Sequence, residues 1–140
     1  VSTDKKAKKV TIPAKITVNG VSYQVTSVAK NAFYKNANVT TITIGNNVTS
    51  IGANAFSNCK KLTSVTVGKN VKTIGKRAFY NCKKIKTITI KSTKLTKKTV
   101  GAQAFKNVNA NAKVKVPKSV KKSYQKLLVS KGLNKKVKIS

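Results

Sequence analysis

The chain has 140 residues, 39% of them hydrophobic, which is enough to build the core of one ordinary domain. It has 31 Lys and Arg residues, a single acidic residue, Asp4, and no histidine, giving a formal net charge of +30. This inventory excludes hydrolysis by paired carboxylates, a Ser-His-Asp triad, and ordinary zinc or calcium sites. We therefore expect a protein that is not an enzyme and that has no metal and no cofactor.

The first predicted elements are short strands. The stretch "VTIP" (residues 10–13) predicts an edge strand that ends at Pro13, because proline has no N–H to give to a sheet. In "ITVNGVSYQ" (residues 16–24), two alternating runs surround Asn19-Gly20, a dipeptide typical of two-residue hairpin turns. Residues 1–24 are therefore predicted to form an N-terminal cap that contains a β-hairpin.

A 23-residue unit then repeats. Three copies align without a gap, "VTSVAKNAFYKNANVTTITIGNN", "VTSIGANAFSNCKKLTSVTVGKN" and "VKTIGKRAFYNCKKIKTITIKST", and a fourth, "VGAQAFKNVNANAKVKV", follows an insertion. One column of the alignment is aromatic and consists of Phe33, Phe56, Phe79 and Phe105. Three other columns are β-branched and consist of Val28, Ile51, Ile74 and Val100; Ile42, Val65, Ile88 and Val114; and Ile44, Val67, Ile90 and Val116.

The periodicity changes once within each unit. In the second unit the spacing of Ile51, Ala55, Phe56 and Cys59 predicts a short helix or helical turn, and "SVTV" (residues 64–67) predicts a strand with its valines inward. One such unit cannot bury its own apolar face, whereas stacked copies form a continuous core. The predicted fold is an α+β repeat solenoid of about four strand-plus-short-helix units over residues 25–117.

The last segment predicts a second cap, over residues 118–140. "VPKSVKKSYQKLLVSKG" (residues 116–132) reads as a helix with Ser119 as its N-cap and Gly132 at the C′ position. Its apolar stripe consists of Val120, Tyr124, Leu127 and Leu128. "KKVKIS" supplies a final short strand, so residues 1–140 are expected to form a single domain with both ends of the solenoid covered.

The period, the strand register and the pattern "IGxxAFxxCxxLxxVxV" resemble the BspA-like leucine-rich repeat family of bacterial surface and secreted proteins. The resemblance extends from Val25 to Val116, with isoleucine and valine in most of the leucine positions. It implies a leucine-rich repeat solenoid that is secreted or exposed on the cell surface. The lysine-rich version is similar to modules at the carboxyl ends of larger secreted proteins of anaerobic gut bacteria.

Cys59 and Cys82 occupy one column of the alignment. Adjacent coils lie roughly 5 Å apart, close to the distance that a disulfide spans, and a secreted protein meets oxidants. Buried cysteine nevertheless behaves as a small hydrophobic residue. We expect two free thiols, with a disulfide as the alternative.

Two groups of residues are candidates for binding. The strand positions that alternate with the buried ones form an exposed face that consists of Thr41, Thr43, Ser64, Thr66, Thr87, Thr89, Lys113 and Lys115. Its threonine ladder resembles that of ice-binding solenoids, although threonine also suits any solvated strand. A second group repeats at the same position of successive units and consists of Lys60, Lys61, Lys83 and Lys84. The inserted loop adds Lys94, Lys97 and Lys98.

These features favour a non-catalytic binding or adhesion module that contacts an anionic polymer, such as wall teichoic acid or an acidic glycan, or a host or protein surface. A nucleic-acid-binding protein is the alternative, but Arg77 is the only arginine, and arginine is the residue preferred for reading guanine. Binding to nucleic acid would then be non-specific. A structural spacer with a solubilising cationic surface is a third possibility. We expect a monomeric domain of a larger protein, without a membrane span.

Overall fold

The computed structural model describes residues 6–140, which form a solenoid of stacked coils. In chain order the strands are β1 (Lys9–Ile12), β2 (Lys15–Val18), β3 (Val21–Gln24), β4 (Ser27–Val28), β5 (Thr41–Ile44), β6 (Ser50–Ile51), β7 (Ser64–Val67), β8 (Thr73–Ile74), β9 (Thr87–Ile90), β10 (Lys113–Lys115) and β11 (Lys138–Ile139). The helix α1 (Lys121–Ser130) lies between β10 and β11.

The main sheet contains six parallel strands in the order β1-β5-β7-β9-β10-β11. Successive coils run in the same direction, so each coil adds one parallel strand. Its inward column consists of direct register partners, Ile42, Val65, Ile88 and Val114. All four side chains are at most 1% exposed. The predicted repeat solenoid and the register of its strands are confirmed.

A smaller parallel sheet, β4-β6-β8, forms a second wall of the coils. Val28, Ile51 and Ile74 pair in register, and Val100 adds an isolated bridge to Ile74. Gly52 follows β6 and Gly75 follows β8, and each packs against the backbone of the preceding coil. A Cβ on Gly75 would lie far inside van der Waals contact with the backbone nitrogen of Ala53. This glycine column therefore sets how closely the coils approach.

In each unit, the segment predicted as a short helix or helical turn forms a run of turns. The prediction of a helix there is wrong. In the second unit the Ala55 N–H donates to the Gly52 carbonyl (3.3 Å), and the Cys59 N–H donates to the Phe56 carbonyl (3.4 Å). The third residue of each turn, Asn54 or Asn58, has a positive φ of 55° or 59°. Turns of type II require a positive φ there, which asparagine tolerates.

The remaining N–H groups of these turns connect neighbouring coils. They donate to carbonyls of the following unit, from Asn54 to Lys76 (2.9 Å), from Phe56 to Ala78 (2.8 Å) and from Asn58 to Tyr80 (2.8 Å). A helix would use such groups within its own coil. Here the apolar side chains still point inward, but the hydrogen bonds join one coil to the next. We name this row of hydrogen bonds between the turns of neighbouring coils the turn ladder.

The phenylalanine column forms a continuous aromatic stack inside the turns. Ring centroids lie 5.2 Å apart between Phe33 and Phe56, 5.2 Å apart between Phe56 and Phe79, and 5.4 Å apart between Phe79 and Phe105. The interplanar angles are between 12° and 17°. The distance between neighbouring rings therefore matches the spacing of neighbouring coils.

The N-terminal segment follows the sequence prediction. β2 and β3 form an antiparallel hairpin whose turn residues, Asn19 and Gly20, have φ of 50° and 77°. These positive values define the predicted two-residue turn. β1 ends before Pro13 and forms one edge of the main sheet.

The C-terminal helix is confirmed, but its predicted N-cap is wrong. Val120 is the N-cap residue, and its N–H donates to the Pro117 carbonyl (3.1 Å), so Ser119 lies inside a preceding 3-10 turn. Gly132 has a φ of 101°, and the Leu133 N–H donates to the Leu128 carbonyl (3.0 Å). This is the expected end of a helix at a C′ glycine.

Candidate binding surface

The register of the main sheet brings the predicted strand-face residues into two rows. One row runs Lys9, Thr41, Ser64, Thr87, Lys113, Lys138, and the other runs Thr11, Thr43, Thr66, Thr89, Lys115. The six central residues, Thr41, Thr43, Ser64, Thr66, Thr87 and Thr89, are half-buried, and we name them the hydroxyl strip. Sequence reasoning missed Lys9, Thr11 and Lys138, because their strands lie outside the repeated units.

The four repeated lysines are exposed and lie just before two neighbouring strands. Ser64 pairs with Thr87, so the chain segments leading into β7 and β9 run side by side. Lys60 therefore neighbours Lys83, and Lys61 neighbours Lys84, at the spacing of one coil. We name these four residues the lysine edge; it borders the amino-terminal side of the hydroxyl strip.

The lysines of the inserted loop lie elsewhere. Lys94, Lys97 and Lys98 follow β9, whereas the lysine edge precedes the strands. Lys97 and Lys98 lead to Val100, which bridges to the smaller sheet, so the two groups lie at different places on the coil. The Lys94 ammonium also donates to the Asn70 side-chain oxygen (2.8 Å).

Within residues 6–140 there is no acidic side chain to pair with the lysine edge. The only carboxylate side chain is Asp4, which lies outside the described residues. Two unit charges about 5 Å apart repel by about 1 kcal/mol in water. The repeated lysines therefore form a surface that an external anion would stabilise.

The two cysteines lie in the core as free thiols, each fully buried. The Cys59 S–H donates to the Phe33 carbonyl (3.1 Å), and the Cys82 S–H donates to the Phe56 carbonyl (3.0 Å). The neighbouring Cys59 thiol, together with burial, raises the pKa of the Cys82 thiol. Cys82 is therefore protonated at neutral pH, and thiolate is the form that alkylating reagents attack.

We expect the native protein to resist alkylation at pH 7.5 and to take up two labels after unfolding without reductant. Intact mass before and after denaturation measures both states. The free cysteine added at an exposed site, Ser22→Cys, is the reactivity control and should be labelled in the native protein. Labelling that needs reductant would instead show a Cys59–Cys82 disulfide.

Among residues 6–140, no group of three or more His, Cys, Asp or Glu side chains is placed to hold a metal ion. In the same part of the chain, no helix combines the length and the apolar character needed to cross a membrane.

The family model for the BspA type leucine rich repeat region matches residues 26–139 in six copies. The chain belongs to this family. The match confirms the predicted resemblance and extends it beyond Val116 into the C-terminal segment. The six copies of the family model exceed the four units recognised in the sequence.

Two solved structures are similar to the chain. A leucine-rich repeat protein from Bacteroides ovatus is 30% identical over 79% of this chain, with a TM-score of 0.65. A leucine-rich repeat protein from Bacteroides capillosus is 32% identical over 79% of this chain, with a TM-score of 0.68. This chain covers 30% of the first protein and 78% of the second. No curated protein sequence matches the chain.

Proposed function

We propose that the chain is a non-catalytic binding module of a secreted or cell-surface bacterial protein, and that it binds an anionic polymer such as wall teichoic acid or an acidic glycan. Membership of the BspA-type family supports a repeat module. The absence of histidine from the sequence and its single acidic residue support a non-catalytic role. The family resemblance supports a location on the cell surface or outside the cell.

The observation that carries the proposal is the lysine edge beside the hydroxyl strip. Four exposed lysines recur at the same position of neighbouring coils, and residues 6–140 contain no acidic side chain to neutralise them. Hydroxyl groups both donate and accept hydrogen bonds, so the strip suits the neutral sugar or polyol parts of a polymer. A chain of alternating anionic and hydroxyl-bearing groups matches both surfaces.

Nucleic acid fits the surface less well. The single arginine, Arg77, donates from Nε to the Gln103 side-chain oxygen (2.8 Å), and its guanidinium lies 5.2 Å from the centroid of the Tyr80 ring. Arg77 belongs to the turns and not to the strand face. Lysines alone provide charge without base recognition, so nucleic acid should bind non-specifically.

Replacing Lys60, Lys61, Lys83 and Lys84 together with glutamine should weaken polymer binding and flatten its salt dependence. The net charge changes only from +30 to +26, so attraction from the whole field changes little. Loss of localised contacts should reduce the slope of log affinity against log salt by about the number of phosphates or carboxylates released. Titrations with teichoic acid, an acidic glycan and duplex DNA across a salt series measure this.

The matched control replaces the four exposed lysines that flank the smaller sheet, Lys30, Lys72, Lys76 and Lys98. It has the same net charge as the lysine-edge variant. Equal, modest losses in the two variants would reject a localised site and support a solubilising surface. Strong preference for DNA over the other two polymers would support the nucleic-acid alternative.

A further inference from the structure

A gap interrupts the lysine pattern in the fourth unit. The run "NVNANA" (residues 107–112) contains no lysine, although the chain has 30 lysines among 140 residues. Asn109 and Ala110 take the places that Lys83 and Lys84 hold in the third unit, as aligned on the phenylalanine column. The fourth coil therefore presents short neutral side chains where its neighbour presents long cationic ones.

Lysines return on the coil that follows. β10 pairs in parallel with β11, and Lys113 lies directly opposite Lys138. The same register continued backward places Lys136 beside Asn111. Short residues of the fourth coil thus lie between the lysines of the third coil and those of the last.

This arrangement leaves an open recess of about 210 Å³ at the surface, which we name the slot. Its lining consists of Ala110, Asn111, Ala112, Lys113, Lys136 and Lys138. Ala112 is 1% exposed and its column continues the core, so it closes the inner side of the slot. The three lysines are exposed and supply the outer walls.

Protection of a sheet edge explains only part of this cluster. Lysine on an edge strand prevents pairing with other chains, which accounts for Lys138 on β11. Lys113, however, lies on the inner strand β10, and like charges directly opposite each other destabilise a sheet. Lys136 lies outside the strands. Edge protection therefore does not explain why Lys113 and Lys136 lie beside Lys138 around one recess.

We propose that the slot binds one phosphate group of the anionic polymer. This rests on the function proposed above and assigns the polymer to the phosphate-bearing class. Lysine binds phosphate as a compact point charge with three donors, and three such residues line the slot. The side-chain amide of Asn111 adds a neutral donor. The polymer then continues from the slot onto the lysine edge and the hydroxyl strip.

Inorganic phosphate and polyglycerol phosphate are the probes for the full chain, at constant ionic strength. In amide NMR spectra, the resonances of Ala110, Asn111 and Ala112 should shift saturably with either probe. Replacing Lys113, Lys136 and Lys138 with glutamine should weaken binding about tenfold, which corresponds to about 1.4 kcal/mol. The control that replaces Lys30, Lys72 and Lys76 has the same charge and should change affinity less than about twofold.

A variant with unchanged net charge tests whether phosphate binding depends on the shape of the slot as well as on its charge. Ala110→Gln keeps the net charge at +30 and fills the slot, so phosphate binding should be lost while circular dichroism is unchanged. Equal losses in both lysine triples, or shifts spread over all lysine-bearing surfaces, would overturn the proposal.

The two proposals fail differently. If polyglycerol phosphate binding depends on the lysine edge but is unaffected by Ala110→Gln, the slot is rejected and the proposed function stands. If inorganic phosphate saturates the slot and no polymer binds, the slot stands as a phosphate site and the proposed function is rejected.

Discussion

Phe56→Ala should destabilise the protein by about 3–5 kcal/mol, the usual range for losing a buried phenylalanine. Phe56 is fully buried, and its ring lies 5.2 Å from both Phe33 and Phe79. The cavity that alanine leaves would lie in the middle of the stack. The walls on either side are coils fixed by the turn ladder, so they cannot collapse into it.

Urea unfolding followed by circular dichroism measures this difference. Tyr34→Ala is the matched control, because it removes a ring of similar size one residue from the column, at a position that is 44% exposed. The control should change stability by less than about 1 kcal/mol. A Phe56→Ala protein as stable as the control would contradict the stacked core.

Gly75→Ala should be comparably damaging, at about 3 kcal/mol or more, although it adds a single methyl group. The added Cβ would overlap the backbone of Ala53 and Gly52 on the preceding coil. Backbone atoms cannot change rotamer to make room. The two coils would have to separate, which would break the bond from the Gly75 N–H to the Ile51 carbonyl (2.7 Å).

Gly20→Ala is the control for the loss of glycine itself. A Cβ at Gly20 would meet nothing within 4 Å, so only its positive φ of 77° is unfavourable for alanine. We expect a loss of about 1 kcal/mol there. Thermal and urea unfolding of both variants test the comparison, and a Gly75→Ala protein no less stable than Gly20→Ala would reject close coil approach as the role of the glycine column.

The strands and their register could be predicted from the sequence because the two-residue alternation within each strand and the 23-residue repeat agree. Alternation along "TITI" and "SVTV" gives the inward face of each strand, and the repeat of 23 residues gives its neighbour. The hairpin at Asn19-Gly20 was predictable for a local reason, since few residues other than asparagine and glycine accept that turn. These signals do not depend on distant parts of the chain.

The turns could not be separated from a helix by apolar spacing, because both place the same side chains inward. The signal that distinguishes them is polar. Asparagine recurs four residues apart at Asn54 and Asn58, where a positive φ is required, and would have no such role in a helix. The other units keep at least one asparagine of this pair, at Asn31, Asn81 and Asn107.

The candidate site was predicted where it repeats and missed where it does not. Lys60 and Lys83 share a column, so their proximity follows from the period alone. The approach of Lys136 and Lys138 to Lys113 depends on the pairing of β10 with β11 across an intervening helix. No spacing in the sequence specifies that pairing.

The turn ladder has an electrical consequence. Its alternate N–H groups donate to the following coil, so the carbonyls that accept them point back toward the N-terminal end. Peptide dipoles aligned in this way add up, as they do along an α-helix, and do not alternate as they do in strands. Along this wall of turns, carbonyl oxygens point toward the N-terminal end of the stack and N–H groups point toward the C-terminal end. Bonds on the walls that carry the strands run the other way, as from the Gly75 N–H to the Ile51 carbonyl (2.7 Å) and from the Lys86 N–H to the Thr63 carbonyl (2.8 Å). The dipoles of the turn wall and of the strand walls therefore oppose each other along the stack.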